Sequence, residues 1–201
     1  MTTGTRGRRL EPDARREQLL ECATRLFGER PYAEVSTTDI AEAAGIARGL
    51  LNHYFGTKRE LYLEVVRRLV AVPPVDGVML SGSLRSRIDA GVGWFLDSVG
   101  PHGRTFLAVT GAGGLGDDPD VEAILTEADD VAARRVLEVV GLDADDDRSR
   151  AVVRAYGGLA KAAVREWQRS GALSRDDVHL LLTRALHTIV RDVLPETPVE
   201  S

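Results

Sequence analysis

The stretch from Ser36 to Lys58 constrains this chain more than any other. Ser36 and Thr37 can cap the orphan N–H groups of a helix start, and Asp39, three residues after Ser36, suits a first helical turn. Ile40, Ala41 and Ala44 then form a narrow apolar face at helical spacing. Gly45 stands where a left-handed residue would end that helix, and Ile46 can plug the gap between two crossing helices. From Ala47 onward Leu50, Leu51, Tyr54 and Phe55 recur at helical spacing, which leaves Arg48, Gly49, Asn52 and His53 outside. Two short helices about a tight turn, the second buried on one side and bare on the other, outline a helix-turn-helix. Such a second helix enters the major groove of DNA. A plain helical hairpin in an all-α domain fits the same spacing.

The residue types suit the first reading. Small Ala41 and Ala44 let the two helices approach closely, and long Arg48 can reach a base edge or a phosphate. Thr38 and Asn52 join Arg48 as candidate groove readers, with Thr37, Gly49, His53 and Tyr54 completing the face. The run Thr37-x-x-Ile40-Ala41-x-x-Ala44-Gly45-Ile46-x-x-Gly49-x-Leu51-x-x-Tyr54-Phe55-x-Thr57-Lys58-x-x-Leu61 resembles the signature of the TetR/AcrR transcriptional regulators. The specific match covers roughly Arg15 to Val66. Three positions depart from the common pattern. Asn52 stands where Tyr is frequent, Tyr54 where His is frequent, and Ala47 where Ser or Thr often opens the helix.

The resemblance implies an all-α homodimeric repressor. An N-terminal three-helix DNA-binding domain would be joined to a C-terminal helical domain for ligand binding and dimerisation. The partners it implies are a pseudo-palindromic double-stranded DNA site and a small-molecule effector. It also implies a phosphate contact for Lys58. The last two helices, residues 148–170 and 174–194, would pair with their mates in the dimer.

Charge agrees with that division. The net charge of −5 argues at first against nucleic acid, but it is uneven. The first 70 residues hold 12 Lys/Arg against 10 Asp/Glu, and the remainder holds 14 against 21. Only the N-terminal third can present a phosphate-friendly face. An apolar content of 43% supports a real core. No apolar run approaches the ~20 residues of a membrane span, and no apolar signal core follows the Arg-rich start, so a cytoplasmic protein is expected. One cysteine, Cys22, excludes an internal disulfide and a multi-cysteine metal site.

Taken in order, residues 1–12 read as a flexible basic arm with Arg6, Arg8 and Arg9, able to reach a minor groove or simply to remain solvated. Residues 13–58 form the helix-turn-helix domain, with a first helix over 13–29 ended by Pro31. Residues 59–194 form the effector-binding and dimerisation domain, and 195–201 a tail. Thr57 with Glu60 is a capping box opening a helix to about Val72. Helices are also expected over 83–99, 118–140, 148–170 and 174–193. The pair Gly157-Gly158, inside the third of these spans, suggests close packing or a bend.

Residues 105–110 suit a helix or a strand. The glycines that follow, Gly111 to Gly116, fit GxGxxG. This leaves a nucleotide-binding enzyme using that loop as the alternative reading. Asp117 and Asp118, which would repel a pyrophosphate, and the lack of a following strand argue against it. His53, His102, His179 and His187 have no motif-spaced partners, so no catalytic residue, metal site or cofactor is expected. With the family as the ground for ligand binding, the candidate lining residues are Trp94, Phe95, Phe106, Tyr156 and Trp167. His102 and Arg104 are placed to orient a polar group.

Overall fold

The computed structural model describes residues 12–72, 80–110 and 118–195, and all its regular elements are helical. They are α1 (Pro12–Glu29), α2 (Thr37–Ala43), α3 (Arg48–Phe55), α4 (Lys58–Val70), α5 (Leu84–Val99), α6 (Gly103–Thr110), α7 (Pro119–Val140), α8 (Asp147–Arg165) and α9 (Arg175–Thr188). A 3-10 turn over Tyr32–Glu34 follows α1, and another over Gly100–His102 leads from α5 into α6. Both α8 and α9 widen into a π turn at their C-terminal ends, Glu166–Ser170 and Ile189–Val193.

Local chemistry sets most of these boundaries. Three helices open with reciprocal capping boxes: Ser36 with Asp39, Thr57 with Glu60, and Ser174 with Asp177. In the second, the Thr57 N–H donates to Glu60 Oε2 at 2.7 Å, and the Glu60 N–H donates to Thr57 Oγ1 at 3.1 Å. Asp118 caps α7 ahead of Pro119, and Asp146 caps α8. Gly141 closes α7 and Gly171 closes the π turn that ends α8, with φ of +80° and +64°. The open choice at 105–110 resolves as helix, because the segment packs lengthwise on α1.

Two main cores result. The first joins Leu19, Ala23 and Phe27 of α1, Ile40 of α2, Leu51 and Phe55 of α3, and Leu61, Val65 and Val66 of α4. Val109 of α6 and Val121 of α7 belong to the same core, so the N-terminal helices are not packed by themselves alone. The rings of Phe27, Tyr32 and Tyr62 meet edge-on or stacked, with centroids 4.9–5.8 Å apart. The second core joins α5, α8 and α9 through Ile88, Leu96, Val164, Val178, Leu182 and Leu186.

The apolar residues of the last helix divide between two sides. Val178, Leu182, Leu186 and Val190 turn inward, while Leu180 and Leu181 stay 51% and 40% exposed. Of the close packing or bend expected at Gly157-Gly158, the close packing is not seen among the described residues. A Cβ at either position would meet nothing within 4 Å. Helix α4 ends at Val70 rather than Val72.

Helix α1 approaches α6 closely at Gly28. A Cβ at Gly28 would stand 2.1 Å from Thr105 Oγ1, 2.9 Å from its Cβ and 3.2 Å from its Cα. The backbone contact means that a side-chain rotation alone cannot make room. Gly28→Ala is expected to lower stability by about 1–3 kcal/mol, as overpacking does. Urea unfolding of the two proteins measures it.

Candidate nucleic-acid interface and interior cavity

Helices α2 and α3 meet at a turn whose geometry requires glycine. Gly45 has φ of +63°, and the Ile46 N–H donates to Ala41 O at 3.0 Å. Leu51 and Phe55 anchor α3 in the core. The Arg16 guanidinium lies 4.9 Å from the centre of the Phe55 ring. Thr38, Arg48, Gly49, Asn52 and His53 are exposed, while Thr37, Tyr54 and Lys58 are half-buried. No acidic residue lies on α3. Its N-cap, Ala47, makes no side-chain capping bond, unlike the Ser or Thr caps of α2, α4, α5 and α9. Gly49 has open space on every side of its missing Cβ, so no internal packing calls for a glycine there.

Lys58 is neither buried away nor a freely solvated lysine. Its ammonium sits 4.0 Å from the Tyr32 ring centre, a cation–π contact. Partial burial pushes its pKa below the ordinary lysine value, with Asp39 opposing the shift.

The next residue, Arg59, makes a contact that no local pattern announced. Its Nε donates to Asp118 Oδ2 at 2.8 Å, and its Nη2 donates to Asp118 Oδ1 at 2.8 Å and to Asp120 Oδ2 at 2.6 Å. The first turn of α4 is thereby clamped to the first turn of α7. The guanidinium hydrogen bond holds the Asp118 carboxyl below the usual carboxylate range, helped by the Asp120 and Val121 N–H groups.

Behind the first four helices lies a cavity of about 950 Å³. Its lining includes Trp94, Phe95, His102, Phe106 and Tyr156, five of the six expected ligand residues, together with Arg104. Trp167 is not in the lining. Its side chain packs on the second core, with the ring edge 3.5 Å from where a Cβ of Gly100 would stand. The spacing of aromatics along the chain could not separate it from the others. The Tyr156 hydroxyl donates to Leu182 O at 3.1 Å, and burial pushes its pKa far up, so it stays a neutral donor. Thr24 and Gly28 of α1 and Leu69 and Val70 of α4 also line the cavity.

The nucleotide alternative loses its strand. The residues before the glycines form α6, and Gly111–Gly116 itself lies outside the described residues. Among the described residues no cluster of three or more His, Cys, Asp or Glu could hold a metal ion. Among the same residues no helix is long and apolar enough to cross a membrane.

A bare-faced recognition helix on an all-helical body with a large cavity defines a DNA-binding regulator. Residues 19–65 match the profile of the bacterial regulatory proteins of the tetR family. The HTH-type transcriptional activator FasR of Mycolicibacterium smegmatis is 31% identical over 159 residues, covering 77% of this chain and 72% of that one. The HTH-type transcriptional repressor KstR2 of the same organism is 39% identical over 57 residues, 28% of each chain. The solved structure of a tetR-family regulator from Streptomyces coelicolor superposes with a TM-score of 0.74 at 27% identity, over 90% of this chain and 82% of that one. The chain belongs to the TetR family and is a DNA-binding transcriptional regulator.

The clamp has a pH signature. Asp118 titrates lower in the folded protein than when unfolded, so its contribution is present above the ordinary carboxylate pKa of about 3.9 and lost as pH falls below it. Asp118→Asn keeps a capping side chain but removes the charge. The variant is expected to be less stable at neutral pH and to lose less stability between about pH 5 and pH 3. Urea titrations at stepped pH check both.

Proposed function

We propose that the chain is a cytoplasmic homodimeric repressor, released from a pseudo-palindromic operator by a small apolar or amphipathic ligand. Residues 13–58 serve as the DNA-binding domain and 59–194 as the effector and dimerisation domain. Residues 1–12 form a basic arm and 195–201 a tail. The observation that carries this reading is that the cavity wall and the DNA-reading unit share helices. Leu69 and Val70 of α4 and Thr24 and Gly28 of α1 border the cavity, while other residues of α1 and α4 share the core that holds α2 and α3 in place. An occupant therefore presses on the two helices that hold the recognition helix. The family includes FasR, named as an activator, and KstR2, named as a repressor, so a reporter assay sets the sign.

Arg48, Thr38 and Asn52 read bases, and Thr37, His53, Tyr54 and Lys58 position the helix on phosphates. Gly49 has no packing role, and its bare backbone suits close approach to the duplex. The helices over 148–170 and 174–194 meet their mates. The exposure of Leu159 on the first of these helices and of Leu180 and Leu181 on the second supports this, since exposed apolar side chains suit an interface.

Selection of bound DNA, followed by anisotropy titration, tests the DNA half. Arg48→Ala is expected to cost roughly 1–3 kcal/mol on the selected site and little on random DNA. Gly49→Ala is expected to weaken DNA binding while raising fold stability by up to about 0.5–1 kcal/mol. Intact DNA affinity in both variants would reject the helix-turn-helix assignment.

Titration of a hydrophobic ligand tests the switch. The expected loss of operator affinity is about 5–150-fold, and operator must weaken ligand binding by the same factor. Gly157→Leu, which fills cavity space, is expected to abolish the response. A ligand that binds and leaves operator affinity unchanged would sink the switch.

A further inference from the structure

We propose that the effector is an amphipath with an anionic head group, received by Arg104 at the rim of the cavity. This rests on the reading of the cavity as an effector site and adds the charge of its ligand.

The body of the cavity is apolar. Val92 and Phe95 of α5, Ala132 and Val136 of α7, and Val153 and Ala160 of α8 line it. At about 950 Å³ it stands near the top of the usual range for ligand pockets, about 300–1,000 Å³. Such a space takes a long apolar chain. The sign of the charge on the lining runs against the trend of this part of the chain. Beyond residue 70 acids outnumber bases, 21 to 14. Yet among the described lining residues beyond 70, four cations, Arg104, Arg135, Arg154 and Lys161, stand against one carboxylate, Asp129; Arg25, Arg68, Glu21 and Glu29 of the first 70 complete the charged lining.

Pairing decides which of those cations is available. Arg25 pairs with Glu29 at 3.1 Å and Lys161 with Asp129 at 2.6 Å, both within the lining. Arg135 and Arg154 pair with Glu138 and Asp130 at 2.8 Å and 2.7 Å, and Arg68 pairs with Glu17. Arg104 is the one lining cation without an ion-pair partner among the described residues, and it is exposed. His102, also exposed in the lining, adds a ring N–H two residues away. Glu21 is the lining carboxylate outside an ion pair among the described residues. It lies on α1, one turn from the paired Arg25, and not on the α6 rim. A guanidinium with free donors beside an apolar chamber matches a carboxylate or phosphate on a long apolar tail.

The test uses three probes of one chain length, tetradecanoate, tetradecanol and tetradecylamine, each kept below its aggregation threshold. Binding is read by tryptophan quenching, since Trp94 borders the cavity. The carboxylate is expected to bind about tenfold more tightly than the alcohol, the scale of a charge-assisted hydrogen bond. The amine is expected to bind weakest. Arg104→Gln should bring carboxylate and alcohol affinities together, and Arg104→Lys should restore part of the preference. Equal affinities in the unmodified protein, a preference for the amine, or a preference untouched by Arg104→Gln would overturn the anionic reading alone. Failure of all three probes to bind would overturn the effector-site reading beneath it.

Discussion

The structure depends on the contact of α1 with α6 at Gly28 and Thr105. With no side chain at residue 28, the two backbones come so close that Thr105 fills the space a Cβ would take. That approach brings Val109 into the core beneath the helix-turn-helix, and Val121 of α7 joins it there. The Arg59 guanidinium then ties α4 to the start of α7 on another side, with Asp118 and Asp120 as acceptors. Covalent continuity through α4 is thus one of three restraints on the head. A lever consisting of α4 alone would swing freely. Here any motion of the head must slide α1 over α6 and strain a forked ion pair as well.

That coupling gives the cavity its meaning. It is bounded by the helices that hold the recognition helix, so filling it cannot be local. Interiors are packed densely enough to transmit displacement rather than absorb it. Gly157 leaves space at the cavity wall where any larger residue would take volume, and Tyr156 beside it has its hydroxyl fixed on Leu182 O. The chamber therefore joins a rigid wall on α8 to a restrained wall on α1 and α4.

Much of this was legible in the residues. Ser36 with Asp39, Thr57 with Glu60, and Ser174 with Asp177 announce helix starts because a cap needs only neighbours three residues apart. Gly45, Gly141 and Gly171 announce turns because positive φ excludes most other residues. The exposed row Arg48, Gly49, Asn52 and His53 follows from period alone once Leu51 and Phe55 are inside. The helix at 103–110 did not follow, since a short apolar run has no decisive period. Nor did the burial of Tyr62 and Leu63, beyond the stripe of Leu61, Val65 and Val66, because α4 is covered by several partners at once.

The sequence by itself determined every helix but α6, the caps and the bare face of α3, since each is decided by residues within a few positions of one another. Tertiary structure alone decided the Arg59 clamp, which spans 59 residues to Asp118, and the Lys58 ammonium over the Tyr32 ring. It also decided that Trp94 and Tyr156 border the cavity while Trp167 does not. Each of these rests on which helices cross and at what distance. That is set by the packing of whole faces and by one missing side chain at residue 28, and no periodicity along the chain encodes it.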